Sequence, residues 1–113
     1  MIQLGYFTLD TPDLDKARAF YSALFGWTFD EDSSHGTYAH VADSEPPFGL
    51  RKGEGKVFTH LYFRVEDIDA LCLRAVALGG MAEVPAGSGS GRSVAIRDDQ
   101  GVSFSLWQAA PGL

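Results

Sequence analysis

One segment of this chain recurs within it, and that repeat limits the folds open to it more than any other feature. Tyr6-Phe-Thr-Leu-Asp-Thr-Pro-Asp13-Leu-Asp15, running on to Gly26, aligns without a gap with His60-Leu-Tyr-Phe-Arg-Val-Glu-Asp67-Ile-Asp69, running on to Gly80. The pairs Asp13/Asp67, Asp15/Asp69, Ala23/Ala77, Leu24/Leu78 and Gly26/Gly80 are identical, while Leu9/Phe63 and Leu14/Ile68 keep their apolar character. Two copies of one supersecondary unit account for this, each presenting an apolar face that must be covered. A duplicated unit also predicts a pseudo-twofold site between the copies.

The periodicity within each copy specifies the elements. Residues 4 to 10 alternate towards an apolar face of Gly5, Phe7 and Leu9, as a half-buried strand does. Thr11-Pro12-Asp13 starts a helix, because proline is tolerated in a first turn and Thr or Asp can cap it. Leu14, Ala17, Tyr21, Leu24 and Phe25 form its apolar stripe, and Gly26 ends it. Strands are predicted around Trp27 to Phe29, Tyr38 to Val41 and Phe48 to Arg51, with polar turns at Asp30 to Gly36 and Asp43 to Pro47. The second copy repeats the order: a strand at 57 to 65, a helix carrying Ile68, Leu71, Cys72, Ala75 and Leu78, a stop at Gly79-Gly80, and strands around Met81 to Val84, Ser93 to Arg97 and Val102 to Trp107. The fold class is therefore α+β: two tandem βαβββ modules, about 1–52 and 57–113, with curved mixed sheets around a cleft and the helices outside. Lys52 to Lys56 is too short a linker to separate independent domains, so one domain over 1–113 is expected.

Composition excludes several function classes. With 45% hydrophobic and 21% charged residues, the chain has the make-up of an ordinary globular domain that can bury a core without staples. Its single cysteine, Cys72, precludes an intramolecular disulfide and falls on the apolar stripe of the second helix, where packing is its expected role. A net charge of −6 repels phosphate backbones and anionic lipid, so nucleic acid and membrane are not expected partners. The N-terminus enters a strand pattern directly, with no leader-like segment, and a cytoplasmic location is expected.

Two stretches carry a resemblance to a known family. Asp15-Lys-Ala-Arg-Ala-Phe-Tyr-Ser-Ala-Leu-Phe-Gly-Trp27 resembles the first helix of the vicinal oxygen chelate superfamily, and Arg97-Asp-Asp-Gln-Gly-Val-Ser-Phe-Ser-Leu-Trp107 resembles its final turn and strand. That superfamily includes glyoxalase I, extradiol dioxygenases, fosfomycin-resistance enzymes and bleomycin-resistance proteins. In its metal-dependent members the ligands, usually His, Gln or Glu, come from four strand positions, which correspond here to Tyr6, Gly49, His60 and Ser105. Only His60 is a good ligand: glycine has no side chain, a neutral serine is a poor donor, and a tyrosine must give up a proton held near pKa 10. This departure from the family pattern removes the usual basis for metal catalysis, and no metal or cofactor is expected. The resemblance also implies a homodimer, as short two-module members commonly pair.

Strand parity selects the candidate site. Residues alternate to those facing the helices are Leu4, Tyr6, Thr8 and Asp10; Phe58, His60, Tyr62 and Arg64; Gly49 and Arg51; and Ser103, Ser105 and Trp107. His40 alternates with Ala39 and Val41 and joins the same face, whereas His35 lies in a predicted polar turn. The ligand-binding set is Tyr6, Thr8, His40, Arg51, His60, Tyr62, Arg64, Ser105 and Trp107, aromatic with a few convergent polar groups, as a small-molecule pocket requires. Two functions fit. The first is metal-independent binding of a small organic molecule, as in the family's bleomycin-resistance-type members. The alternative is a glyoxalase-like lyase or isomerase with His60 as catalytic general base, with or without a divalent metal, His40 and His60 being a conceivable metal pair. Ala86-Gly-Ser-Gly-Ser-Gly-Arg92 lacks the ending of a phosphate loop and predicts a hairpin loop able to cover the cleft. Asp98-Asp-Gln-Gly101 predicts turn chemistry, and Asp13, Asp15, Asp67 and Asp69 predict helix starts.

Overall fold

The computed structural model of the chain describes residues 5–54 and 61–112, in two compact units, 1–57 and 58–113. In the first, strand β1 (Phe7–Thr11) leads into helix α1 (Leu14–Phe25), followed by β2 (Phe29–His35), β3 (Tyr38–Val41) and β4 (Phe48–Lys52). The sheet order is β1-β4-β3-β2, with β1 parallel to β4 and the other pairs antiparallel. The second unit repeats the scheme with β5 (Tyr62–Arg64), α2 (Ile68–Ala77), β6 (Met81–Ala82), β8 (Gly91–Arg97) and β9 (Ser103–Ala109), in the order β5-β9-β8-β6, and adds β7 (Ala86–Ser88) beside β8. Again the first strand lies parallel to the last. This is the expected α+β architecture of two βαβββ modules. Among the described residues, no helix is long and apolar enough to cross a membrane.

Equivalent residues start the two helices. Asp13 and Asp67 are the N-caps, and their carboxylates accept from the backbone N–H of Lys16 and Ala70, each at 3.1 Å. Gln108 adds a second acceptor to α2, its Oε1 lying 2.8 Å from the Ile68 N–H. The helix ends differ. Gly26 closes α1 at φ 74° with a single bond from its N–H to Ser22 O. On α2 the N–H groups of Gly79 and Gly80 bond Val76 O and Ala75 O, the paired closure of a Schellman motif.

Each helix covers one face of its own sheet. Leu14, Ala17, Phe20, Tyr21 and Leu24 of α1 are buried, as are Leu9, Ala39, Val41, Phe48 and Leu50 of the strands. Phe20 was absent from the apolar stripe drawn from the sequence, and Phe25, which was in it, is only half-buried. Trp27 joins an aromatic cluster, stacked on Tyr21 at 5.2 Å and edge-on to Phe48 at 4.8 Å. In the second unit Ile68, Cys72 and Ala75 meet Val94, Ile96, Val102, Phe104 and Leu106. Burial pushes the Cys72 thiol pKa up, in keeping with a packing role.

Two predicted loops are strands. Asp30 to Gly36, read as a turn, is mostly β2, an edge strand whose exposed side chains carry no buried alternation to reveal it. The turn chemistry is present, but inside the strand: Asp30 Oδ1 accepts from the Asp32 N–H at 3.1 Å, Ser34 Oγ bonds Asp30 O at 2.7 Å, and the register with β3 shifts between Asp30 and His35. The glycine-rich stretch is a hairpin in which Ser88 pairs with Gly91 across a two-residue turn, Gly89-Ser90. Gly91 has φ 133°, and a side chain there would collide with Gln108 O of β9. Asp98 to Gly101 is the expected turn, with buried Asp98 accepting from the Gln100 and Val102 N–H groups at 2.8 and 3.0 Å.

The alternation has a direct test. Leu106→Ala deletes a fully buried side chain and is expected to cost about 2–5 kcal/mol. Ser105→Ala, one residue away and facing oppositely, is expected to change stability by less than about 0.5 kcal/mol. Urea denaturation midpoints compare them, and equal losses would contradict the assigned faces.

Candidate functional site

On the first sheet, the face turned away from α1 is organised by Tyr38. Register places Thr8, Gly49 and His40 in one row across β1, β4 and β3, and Asp10, Arg51 and Tyr38 in the next. The Tyr38 ring lies across Gly49, where even a methyl group would overlap the ring and its hydroxyl. Glycine at this position therefore clears a floor for the tyrosine. So placed, the Tyr38 hydroxyl hydrogen-bonds both the Tyr6 hydroxyl and, at 2.7 Å, Nδ1 of His40. Burial first, and the bond to Tyr6 second, push the Tyr38 pKa up to about 12. It remains a neutral phenol throughout the physiological range.

The arginine on this face is already committed. Arg51 Nε and a terminal guanidinium nitrogen bond the two Asp10 carboxylate oxygens at 3.2 and 3.3 Å. Gly53 makes room for that carboxylate, since a side chain there would lie 2.8 Å from Asp10 Oδ2. Beside them, His40 is fixed from a second direction, its backbone N–H bonding Ser34 Oγ at 2.9 Å. This face thus presents Tyr6, which is 49% exposed, and a half-buried His40 as its outer polar groups.

On the second sheet, Tyr62, Arg64, Ser105 and Trp107 lie opposite the helix-facing residues, in the rows Tyr62–Ser105–Ala95 and Arg64–Trp107–Ser93. The Arg64 guanidinium sits 5.3 Å from the Trp107 ring centroid, a cation–π arrangement. Trp107 is held from behind by its indole N–H, which donates to Ser90 O at 3.2 Å. The glycine-rich hairpin anchors this aromatic plate.

Of the sequence-predicted set, Tyr6, Thr8, His40 and Arg51 share the first face, and Tyr62, Arg64, Ser105 and Trp107 share the second. His60, with Leu4 and Phe58, lies outside the described residues. Tyr38 was missed, although the same alternation that assigns His40 assigns the residue two before it. His35 is exposed at the end of β2, with Nδ1 near the Thr37 N–H and hydroxyl of the adjoining turn.

The family's four metal positions do not form a ligand set at the three that are described. Gly49 lies beneath a tyrosine ring, the Tyr6 hydroxyl is bonded to that tyrosine, and Ser105 offers a neutral hydroxyl. Among the described residues no three His, Cys, Asp or Glu side chains converge. Protein purified from its host is expected to hold zinc, nickel, manganese and iron only substoichiometrically, as elemental analysis would measure. A full equivalent lost in His60→Ala would contradict this.

Tyr38 supplies a titration test. Its raised pKa means that the native state keeps the proton after the unfolded chain releases it near pH 10. The resulting stability is complete below about pH 10 and is lost as pH rises towards about 12. Phenolate absorbance should show a late ionisation at about pH 12 that Tyr38→Phe deletes.

Comparison with known proteins agrees with the fold. Residues 6–107 match the family model described as a glyoxalase-like domain. CFP32 of Mycobacterium tuberculosis (strain CDC 1551 / Oshkosh), a glyoxylase by name, is 32% identical over 114 residues, covering 89% of this chain and 43% of that protein. DauV of Streptomyces sp. (strain C5), named as an anthracycline biosynthesis protein, is 34% identical over 111 residues, covering 91% and 40%. The chain spans less than half the length of these curated relatives. Among solved structures, a glyoxalase/bleomycin resistance protein/dioxygenase family enzyme from Burkholderia phytofirmans PsJN superposes with a TM-score of 0.79 at 18% identity, covering 94% of this chain and 98% of that one. With its paired βαβββ modules and a family match over nearly its whole length, the chain belongs to the glyoxalase-like domain family of the vicinal oxygen chelate superfamily.

Proposed function

We propose that this protein binds a small, planar organic molecule on the open faces of its sheets without a metal ion. The observation that carries this reading is the hydrogen-bonded chain Tyr6–Tyr38–His40, with the Tyr38 ring over Gly49, an aromatic surface with built-in hydrogen-bonding groups. The Trp107 plate with Arg64 above it is a second surface of the same character. With Arg51 neutralised by Asp10, the first face suits a neutral ligand better than an anion. DauV's name associates that relative with anthracyclines, which are polycyclic hydroxyquinones, and so points to a planar aromatic as the first ligand to try.

Catalysis is a second reading, favoured by the glyoxylase name of CFP32 and by an imidazole, His40, already oriented through Nδ1. A lyase or isomerase would need a general base facing the substrate. His60, the sequence-derived choice for that base, lies outside the described residues. We also propose that two copies pair. Leu73, Val76, Met81 and Val84, each more than half exposed, supply apolar surface for such an interface.

The binding reading is tested with alizarin, a planar hydroxyquinone, by isothermal titration calorimetry. Saturable binding is expected, weakened about tenfold or more by Tyr6→Ala, since large aromatics dominate the energetics of binding sites. Alizarin that fails to bind, or binds Tyr6→Ala equally well, would overturn the assignment. Sedimentation equilibrium at micromolar concentrations should give twice the chain mass, and a single-chain mass would remove the dimer.

A further inference from the structure

We infer that the Tyr6–Tyr38–His40 chain is a coupled donor–acceptor pair that selects ligands carrying both a hydroxyl and a carbonyl, with Tyr38 as the specificity-determining link. This rests on the binding reading above and names the ligand chemistry of that same face.

Tyr38 has one proton to give and a partner on either side, the Tyr6 hydroxyl and Nδ1 of His40. If Tyr38 donates to Nδ1, a neutral His40 carries its proton on Nε2 and Tyr6 donates to Tyr38. The chain then offers the ligand an N–H donor at the histidine and a lone pair at Tyr6. If His40 instead donates from Nδ1, Tyr38 donates to Tyr6, and the ends exchange roles: a hydroxyl donor at Tyr6 and a lone pair at Nε2. Were both neighbours to donate to Tyr38, its own proton would have no partner among the described residues, which is costly for a group placed against the sheet. Both favourable arrangements hold the same three protons, and each presents one donor and one acceptor.

Three observations fix the chain in place. Gly49 lets the Tyr38 ring lie flat, so its hydroxyl reaches both neighbours. His40 is held at its backbone by Ser34. The pKa of Tyr38 lies far above neutrality, so the middle proton is not lost. Among the described residues, Nε2 of His40 and the outer side of the Tyr6 hydroxyl have no other hydrogen-bond partner. A molecule with a hydroxyl and a carbonyl can satisfy both ends in either arrangement. One with acceptors alone leaves an end unsatisfied.

The test uses three probes that differ at one group: 2-(hydroxymethyl)anthraquinone, its methyl ether, and 2-methylanthraquinone. All keep the carbonyls, and only the first has a donor. The wild-type protein is expected to bind the alcohol at least tenfold more tightly than either analogue, and Tyr38→Phe, which keeps the ring and loses the hydroxyl, to reduce that ratio to within twofold. Side-chain 15N resonances of His40 in the ligand-free protein give an independent readout and should shift in Tyr38→Phe. Equal binding of the three probes, or a preference that survives Tyr38→Phe, overturns the inference and leaves the binding reading standing. Failure of all three to bind overturns both, and unmoved His40 resonances overturn the coupling.

Discussion

The structure depends on one helix sealing one face of the sheet in each unit. Strand side chains alternate, so once Leu9, Leu50, Ala39 and Val41 are committed to α1, Tyr6, Thr8, Gly49, Tyr38 and His40 must face the other way. The same holds for Leu106 and Phe104 against Trp107 and Ser105. A one-residue slip would expose the whole apolar set, so burial of the helix-facing side also holds the polar side in register. The candidate site is what this division leaves in the open.

That dependence explains how much of the protein was legible in its sequence. The helices, their Asp caps and their glycine ends were readable because each has a local physical signature, and the strands β3, β4 and β9 because each has a buried face. β2 was misplaced, its strand read only as far as Phe29, because an edge with exposed Asp, Glu and Ser residues has the composition of a turn. β7 was hidden likewise, since Ala86-Gly-Ser88 has too little side chain to show a period. At the site, parity assigned the right face to Tyr6 and His40, but the hydrogen bonds that join them run through Tyr38. The reason for Gly49 appears only when the ring above it is seen. As a missing metal ligand it looked like a loss, whereas in the fold it makes room for Tyr38.

Polar groups on the open faces are largely satisfied by one another. Asp10 holds Arg51, Tyr38 holds Tyr6 and His40, and Ser90 holds Trp107. Arg92 pairs with Asp69 through two 2.9 Å bonds, which lower the Asp69 pKa and tie α2 to β8. Among the described residues, no buried side-chain nitrogen or oxygen lacks a partner. Such preorganisation lowers the cost of ordering side chains when a ligand arrives, and it makes recognition a matter of matching groups already in place.

We propose that ligand binds the sheet face organised by Tyr38 and not the outer surface of the helices. Backbone chemical-shift mapping during titration with 2-(hydroxymethyl)anthraquinone tests this directly. The largest perturbations are expected on Tyr6, Thr8, Tyr38, His40 and Gly49. Perturbations centred instead on the hollow between α2 and β6, at Cys72, Leu73, Val76 and Ala82, would contradict it.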